Sequence, residues 1–496
     1  MGLKQLMTQT MTYILKAILR IALLSGLVVC SGCSWKSPEA TSPARPVTFP
    51  DYAEVTIPVN IAPLNFMVQG AEYAQTVFCH EGVEMLRVKG KDGIVQIPIK
   101  KWRELLKAAA GGNIDVQVSV WSKSCPDGIS YQSYPMHVSE DEIDPWISYR
   151  LIEPGYVGWR QLGIYQRDLT SFDESPIVTN RKSNTTCINC HSYPSYSPES
   201  MMFHARGKNG GTILYKDGKL QKIDFKSIGP KKNTTYPAWH PDGRFIAFSS
   251  NTTHQIFFGE GEQPIEVFDT ASDLVIYDTE TGQVLTDPRF MTEDKLETFP
   301  SWSPDGRYLY FVSYTAKEMP VYFNTGIRYD LLRVAFDPQT GAFGEHVEVL
   351  YDSSLRGGSV SYPRVSPDGR HLLYTWSENG TFPIWHDEAD LKMIDLQTMQ
   401  DVDVSVLNDV EDADSYHSWS SEGRWVIFGS RRLEGRYTRL FMAYLDENGH
   451  ADKPFLLPQE DPRQNMWRLM SFNVPEFMSG KVDLPEEASD LFYSED

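Results

Sequence analysis

The sequence predicts an all-β protein, with an N-terminal β-sandwich-like domain followed by a β-propeller. Three observations carry that prediction. A Pro-Asp-Gly-Arg turn, or a Ser-Glu-Gly-Arg variant of it, recurs through the second half, and a short apolar strand follows each copy. Glycine (35), proline (31) and the aromatic residues (24 Phe, 25 Tyr, 12 Trp) favour strands joined by tight turns. Helical periodicity is confined to one short stretch. With 41% hydrophobic and 23% charged residues the chain is an ordinary folding sequence, and 496 residues suggest about three domains, or two when one is a large β fold. Asp+Glu (66) exceed Lys+Arg (46), a formal charge of −20, which argues against a nucleic-acid partner. Disorder, collagen, coiled coil and a polytopic membrane protein are excluded on composition.

Residues 1–32 read as an export signal. Lys4, Lys16 and Arg20 make a basic start, Ile21 to Val29 a short apolar core, and Ser31-Gly32-Cys33 a small-residue cleavage site, too short for a membrane span. The cysteine directly after Ser-Gly resembles the lipobox of bacterial lipoproteins, although Cys30 stands where such boxes usually carry Leu. That resemblance implies a lipid on Cys33 and a membrane anchor, with plain cleavage as the alternative. Several acyl chains, at about 0.8 kcal/mol per buried CH₂, hold far better than one myristoyl group. By the same analogy Ser34, rather than Asp, implies the outer membrane, facing the periplasm. Residues 33–50, with four prolines, read as an extended tether.

The N-terminal β domain is expected over residues 51–178. Val55-Thr56-Ile57 and Gln117 to Trp121 have strand character. Trp102, Leu105, Leu106 and Ala109 recur at i, i+3, i+4 and i+7, so Lys101 to Ala110 reads as a helix ended by Gly111-Gly112. An exported protein meets an oxidising compartment, so cysteines beyond the anchor should be paired or ligated. Cys79 and Cys125 are expected to form a structural disulfide.

Residues 179–210 carry the sharpest motif, Cys187-Ile188-Asn189-Cys190-His191. The pattern C-x-x-C-H reads as covalent attachment of one haem c. Two thiols at this spacing can each add to a vinyl group, and the adjacent histidine then coordinates the iron as proximal ligand. A redox dithiol and half of a zinc site are the alternatives; zinc would need two further ligands. Barely twenty residues separate His191 from the first repeat strand, too few for a cytochrome domain. Any haem must therefore be walled by its neighbours, in the seam between the β domain and the propeller. For the distal ligand the nearby Met201-Met202-Phe203-His204 is the economical source. If it is extended, Met202 and His204 share one face and Met201 and Phe203 the other. His204 is the first choice, Met201 or Met202 the second, with His80, His137 or an open site remaining. Arg150, Arg160 and Arg167 are candidates to pair with haem propionates, or else make surface ion pairs. His240 reads as a blade-surface turn residue rather than a ligand.

The propeller is expected over residues 211–480. Tyr236 to Arg244, Phe299 to Arg307, Tyr362 to Arg370 and His417 to Arg424 superimpose, with their turn glycines 63, 63 and 54 residues apart. Proline fixes φ and glycine takes φ > 0, so each unit is a turn-linked sheet, the signature of a propeller blade. These units resemble the WD-like repeats of the TolB propeller over roughly residues 211–477. The resemblance implies five or six blades, closed by strands from both ends of the domain. Gly211 to Tyr215 with Lys216-Asp217-Gly218 resembles an incomplete first blade. No G-x-S-x-G occurs, which argues against the serine peptidases that carry such propellers. The whole chain is similar to a family of exported lipoproteins that combine a CxxCH motif with TolB-like repeats. Residues 481–496 form an acidic tail.

Two functions follow as expectations. The first is a membrane-anchored c-type cytochrome that carries electrons in the cell envelope to a protein redox partner. The second is a propeller that binds or scaffolds a partner, its haem structural or sensory.

Overall fold

The computed structural model describes residues 37–153, 161–180, 186–207, 209–231, 234–259, 263, 265–316 and 326–492. The export signal, Cys33, Arg160, Glu495 and Asp496 lie outside the described residues. The chain is all-β and contains a propeller, as the repeats predict.

Residues 40–139 supply ten strands. Hydrogen bonds link all ten into one sheet. The strand Asn113–Ser122 organises it. Along one edge it pairs with Tyr73–His80, and along the other with Cys125–Ser130 and then Tyr134–Ser139. Its alternation buries Ile114, Val116, Val118 and Val120. The helix Ile99–Ala109 buries the four periodic residues Trp102, Leu105, Leu106 and Ala109, and Trp102 Nε1 donates to the Ile61 carbonyl at 3.1 Å. Part of the segment read as a tether belongs to this domain. Ala40–Thr41 pairs with Ile129-Ser130 and Thr48–Phe49 with Met67-Val68, covering backbone groups that an open sheet edge would leave unpaired.

The expected disulfide is corrected: Cys79 and Cys125 are free thiols. Cys79 stands opposite Asp115 and Cys125 opposite Ser122. The seven residues between those registers span roughly 23 Å at about 3.3 Å per residue, far beyond the Cα separation of about 7 Å that a disulfide can bridge.

Among the described residues the propeller strands fall into six four-stranded blades. Blade 1 is Cys187–Ser192, Met201–Arg206, Gly211–Lys216 and Lys219–Ile223, from the axis outwards. Blade 2 is Thr235–Trp239, Phe245–Phe257, Ile265–Asp278 and Val284–Leu285; blade 3 is Lys295–Trp302, Tyr308–Thr315, Asp330–Asp337 and Ala342–Tyr351. A single bridge, Ser272 to Leu296, joins these two. Blade 4 is Ser359–Val365, His371–Ser377, Asp390–Asp395 and Gln400–Val402; blade 5 is Asp414–Trp419, Trp425–Ser430, Arg439–Tyr444 and Phe455–Leu456. The repeated turns link the first two strands of blades 2 to 5, with their glycines at φ between 70° and 75°.

Blade 6 closes the ring and moves a domain boundary. Its inner strand is Ser471–Met478, and its other three, Trp146–Ile152, Leu162–Asp168 and Glu174–Thr179, come from the region assigned to the N-terminal domain. The boundary therefore falls near residue 145, not 178. Strand character is local, whereas the sheet a strand joins depends on a partner more than 300 residues away. The N-terminal domain shares a core with blades 5 and 6, where Trp425, Leu440, Phe472 and Phe477 meet Tyr52 and Ile57. Asp144 accepts from the Ser421 backbone N–H and hydroxyl, both at 2.7 Å, at the fourth repeat turn. Arg167 is buried, donating to Gln459 Oε1 at 2.9 Å and to the Pro458 carbonyl. It ties blade 6 to the chain after blade 5. Among the described residues no helix is long and apolar enough to cross a membrane.

Candidate functional site

Every inner strand carries the same irregularity. Its pairing register slips once, and the residue at the slip has φ between 45° and 55°: Cys190, Tyr236, Phe299, Tyr362, Tyr416 and Val474 in blades 1 to 6. Such bulges re-aim a side chain, and here they aim six side chains at the axis. The aromatic four pack on one another, with ring centroids 4.1 Å apart for Tyr236–Phe299, 4.2 Å for Phe299–Tyr362 and 5.0 Å for Tyr362–Tyr416. The adjacent blades 6 and 1 put Val474 and Cys190 at this position, leaving a gap in the aromatic ring. An axial cavity of ≈ 260 Å³ opens there, lined from all six blades.

The CxxCH motif is thus the inner strand of blade 1, not a loop in the seam between domains. Cys187, Cys190 and His191 all line the cavity. Cys190 is half-buried and lines the cavity with Tyr236, Tyr362 and Tyr416. Cys187 is buried; burial pushes its thiol pKa up, and the Arg150 and Arg206 guanidiniums pull it back. Burial drives the His191 pKa down to about 3, with Arg150 and Arg364 adding to the effect, so the ring is neutral. Its backbone partners, Ser148 and Val474, place it on the blade 6 side of the blade 1 sheet. Its Nε2 is buried with no hydrogen-bond partner.

The candidate distal ligands are not brought to this cavity. Their alternation is as the sequence predicts: Met202 packs with Trp239 and Phe248 of blade 2, whereas Met201 and Phe203 face Leu162 and Ile164 of blade 6. His204 lies 5.7 Å from the Phe248 ring, its Nδ1 2.9 Å from Thr212 Oγ1, and burial lowers its pKa to about 3. The blade 1 sheet therefore stands between His191 and His204. His80 and His137 both bond Asn113 on the N-terminal sheet, each at 2.9 Å. His240 is a turn residue as expected but is buried rather than on the blade surface, its Nε2 3.0 Å from the Gly306 carbonyl of the next repeat turn.

Three guanidiniums line the cavity: Arg150, a sequence candidate, and Arg206 and Arg364, which sequence reading missed. Arg364 Nη2 is 3.3 Å from Glu476 Oε1. Burial raises the Glu476 pKa to about 7 in spite of that cation. The signal for this pair was in the repeat. Two residues past the bulge, the blades carry Ser192, Ala238, Ser301, Arg364, Ser418 and Glu476, so the pair breaks a run of small residues.

The donor set suits a covalently attached haem, with two free thiols and a neutral imidazole whose Nε2 is unpartnered. The space does not. The cavity, at ≈ 260 Å³, falls below the roughly 300–1,000 Å³ of pockets that hold drug-sized ligands. A haem held on these thiols would have to displace the axial rings or extend beyond the cavity. Among the described residues no group of three His, Cys, Asp or Glu side chains forms a metal site.

Fold and site define a class: a β-propeller closed by strands from ahead of its repeats, with a charged axial cavity. The family model for the methylamine dehydrogenase heavy chain matches residues 214–321. Among solved structures, TolB from Acinetobacter baumannii is similar, at 14% identity and TM-score 0.43 over 77% of this chain and 85% of that one. The periplasmic gluconolactonase of Pseudomonas aeruginosa is 15% identical with TM-score 0.32, over 66% of this chain and 99% of that one. An oligogalacturonate lyase from Vibrio parahaemolyticus is 10% identical with TM-score 0.31, over 61% and 92%. A search of curated proteins returns no match.

Proposed function

We propose that the protein is a binding or scaffold propeller of the cell envelope, anchored through Cys33, whose axial cavity receives its ligand. One observation carries this reading. Four of the six bulge positions are filled by aromatic rings packed on one another, and the other two leave a cavity rimmed by arginines, thiols and tyrosines. Concave sites of this kind, apolar with a few placed polar groups, are where propellers and other folds hold small ligands. The test fills the gap. Protein taken from its own membranes and weighed by native mass spectrometry is expected to carry an adduct that Val474→Trp removes. The same mass in both proteins would count against the cavity as the ligand site.

A second reading is favoured by the unpartnered Nε2 of His191 beside two free thiols: Cys187 and Cys190 hold one haem c, with His191 as proximal ligand. It requires the aromatic rings to move or the haem to extend beyond the cavity. Denatured protein should then be one haem heavier and keep its colour after acid–acetone extraction. A colourless product made with cytochrome c maturation factors present would exclude it, and with it the electron-carrier role.

A further inference from the structure

We infer that the axial cavity is a site for a planar aromatic carboxylate that also carries a hydroxyl or amino donor, with Arg150 and Arg206 holding the acid group. The inference rests on the reading of the cavity as the ligand site and names what that ligand carries.

Charge is the first argument. In a chain of −20, cations have acids at hand, and the arginines of the repeats use them: Arg244 pairs with Asp278 at 2.6 Å and Arg370 with Asp395 at 3.0 Å. Within the cavity Arg364 is matched by Glu476. Arg150 and Arg206 make no ion pair among the described residues, and the Arg150 Nε is buried without a hydrogen-bond partner. Both guanidiniums line the cavity, Arg150 the more enclosed and Arg206 the more exposed of the two.

Placement is the second. Arg150 comes from the second strand of blade 6 and Arg206 from the end of the second strand of blade 1, so they flank the gap in the aromatic ring. The Cys187 thiol feels both guanidiniums and lines the cavity with them. Tyr416 and Tyr236 line the same cavity as the two guanidiniums. A guanidinium fork matches a carboxylate bidentately, and the tyrosine faces offer a flat ring something to stack on.

Glu153 supplies the third. Its Oε2 is buried with no partner on the same cavity wall. A carboxylate there opposes a second acid on the ligand and accepts from a hydroxyl or amino group. The volume limits the ligand to one or two fused rings.

The probe is 6-hydroxy-2-naphthoate, titrated by its own fluorescence into the full-length protein. Saturable one-to-one binding is expected, at least tenfold weaker for its methyl ester. It should weaken at least tenfold in Arg206→Gln, whose side chain is exposed enough to spare the fold, and further when Arg150→Gln is added. Equal affinity for acid and ester, or unchanged binding in Arg206→Gln, would overturn the inference, as would no binding at all. The broader reading fails separately. If native protein still carries an adduct that Val474→Trp removes while the naphthoate does not bind, the cavity stands and the carboxylate assignment falls.

Discussion

Blades 2 to 5 and the closing pair, blades 6 and 1, share one backbone design and differ in what they place on it. In blades 2 to 5 the bulge carries Tyr236, Phe299, Tyr362 and Tyr416, and these rings fill the axis. In the closing pair the same positive-φ position carries Val474 and Cys190, and the space they leave is lined by charge and thiols. A non-glycine residue at φ near 50° is uncommon, yet the ring uses it six times. The bulge is therefore a property of the inner strand, and the side chain on it decides between packing and cavity. The lesson extends to CxxCH: its backbone is explained by the repeat, and only its side chains set it apart.

The largest expected effect breaks the closure. Phe472 is buried in the core that blade 6 shares with the N-terminal domain, its ring 4.8 Å from that of Tyr149. Phe472→Ala should cost about 3–5 kcal/mol, measured by denaturant unfolding. A cost below 1 kcal/mol would mean that the ring holds without this seam.

The next effect tests how blades 2 and 4 are held together above the axis. The long hairpin of blade 2 meets the loop after the second strand of blade 4 through His386 Nε2 and Glu266 Oε2, 3.2 Å apart and both buried. Burial alone would lower the His386 pKa, but the carboxylates of Glu266 and Glu388 outweigh it and hold it at about 9. A folded pKa above the unfolded value of about 6.5 stabilises most below pH 6.5, and that gain is lost as pH rises through 9. The shift corresponds to about 3 kcal/mol. The difference in melting temperature between wild type and His386→Gln should therefore shrink from pH 6 to pH 10. A constant difference would rule out the ion pair. His417, at the blade 5 position matching His191, has the opposite sign. Burial drives its pKa down to about 3, so its contribution is lost as pH falls below 6.5, and His417→Gln should flatten the acid limb of stability against pH.

Cys190→Tyr converts the closing pair towards blades 2, 4 and 5. The backbone already adopts the bulge, so stability should change by no more than about 1 kcal/mol, a modest figure for a point substitution. Ligand and haem should both be excluded. The smallest effect lies outside the ring: with Cys79 and Cys125 far apart, Cys79→Ser should shift stability by less than about 0.5 kcal/mol, whereas loss of a native disulfide costs about 2–5 kcal/mol. A large loss, seen only without reductant, would restore the disulfide.

Much of the fold was legible because its signals are local. The turn at Asp305-Gly306, the alternation in Asn113–Ser122 and the i, i+3, i+4, i+7 face of the helix each need only a few neighbouring residues. The site was legible in part: Cys187, Cys190, His191 and Arg150 could be picked out by type and spacing. Arg206 and Arg364 could not, since nothing near them in sequence marks a guanidinium as facing a cavity.

By itself the sequence determined the blade repeat, the helix Ile99–Ala109 and the alternation that sets Met202 and His204 against Met201 and Phe203, all consequences of backbone geometry over a few residues. Only the tertiary structure decided that Trp146–Ile152 pairs with Ser471–Met478 and that Cys79 and Cys125 stand at opposite ends of a strand. It alone placed CxxCH on the propeller axis, with His191 and His204 on opposite faces of one sheet. Each of these depends on which distant strand closes the ring, and strand pairing is settled by burial and hydrogen bonding across the whole chain rather than within any segment of it.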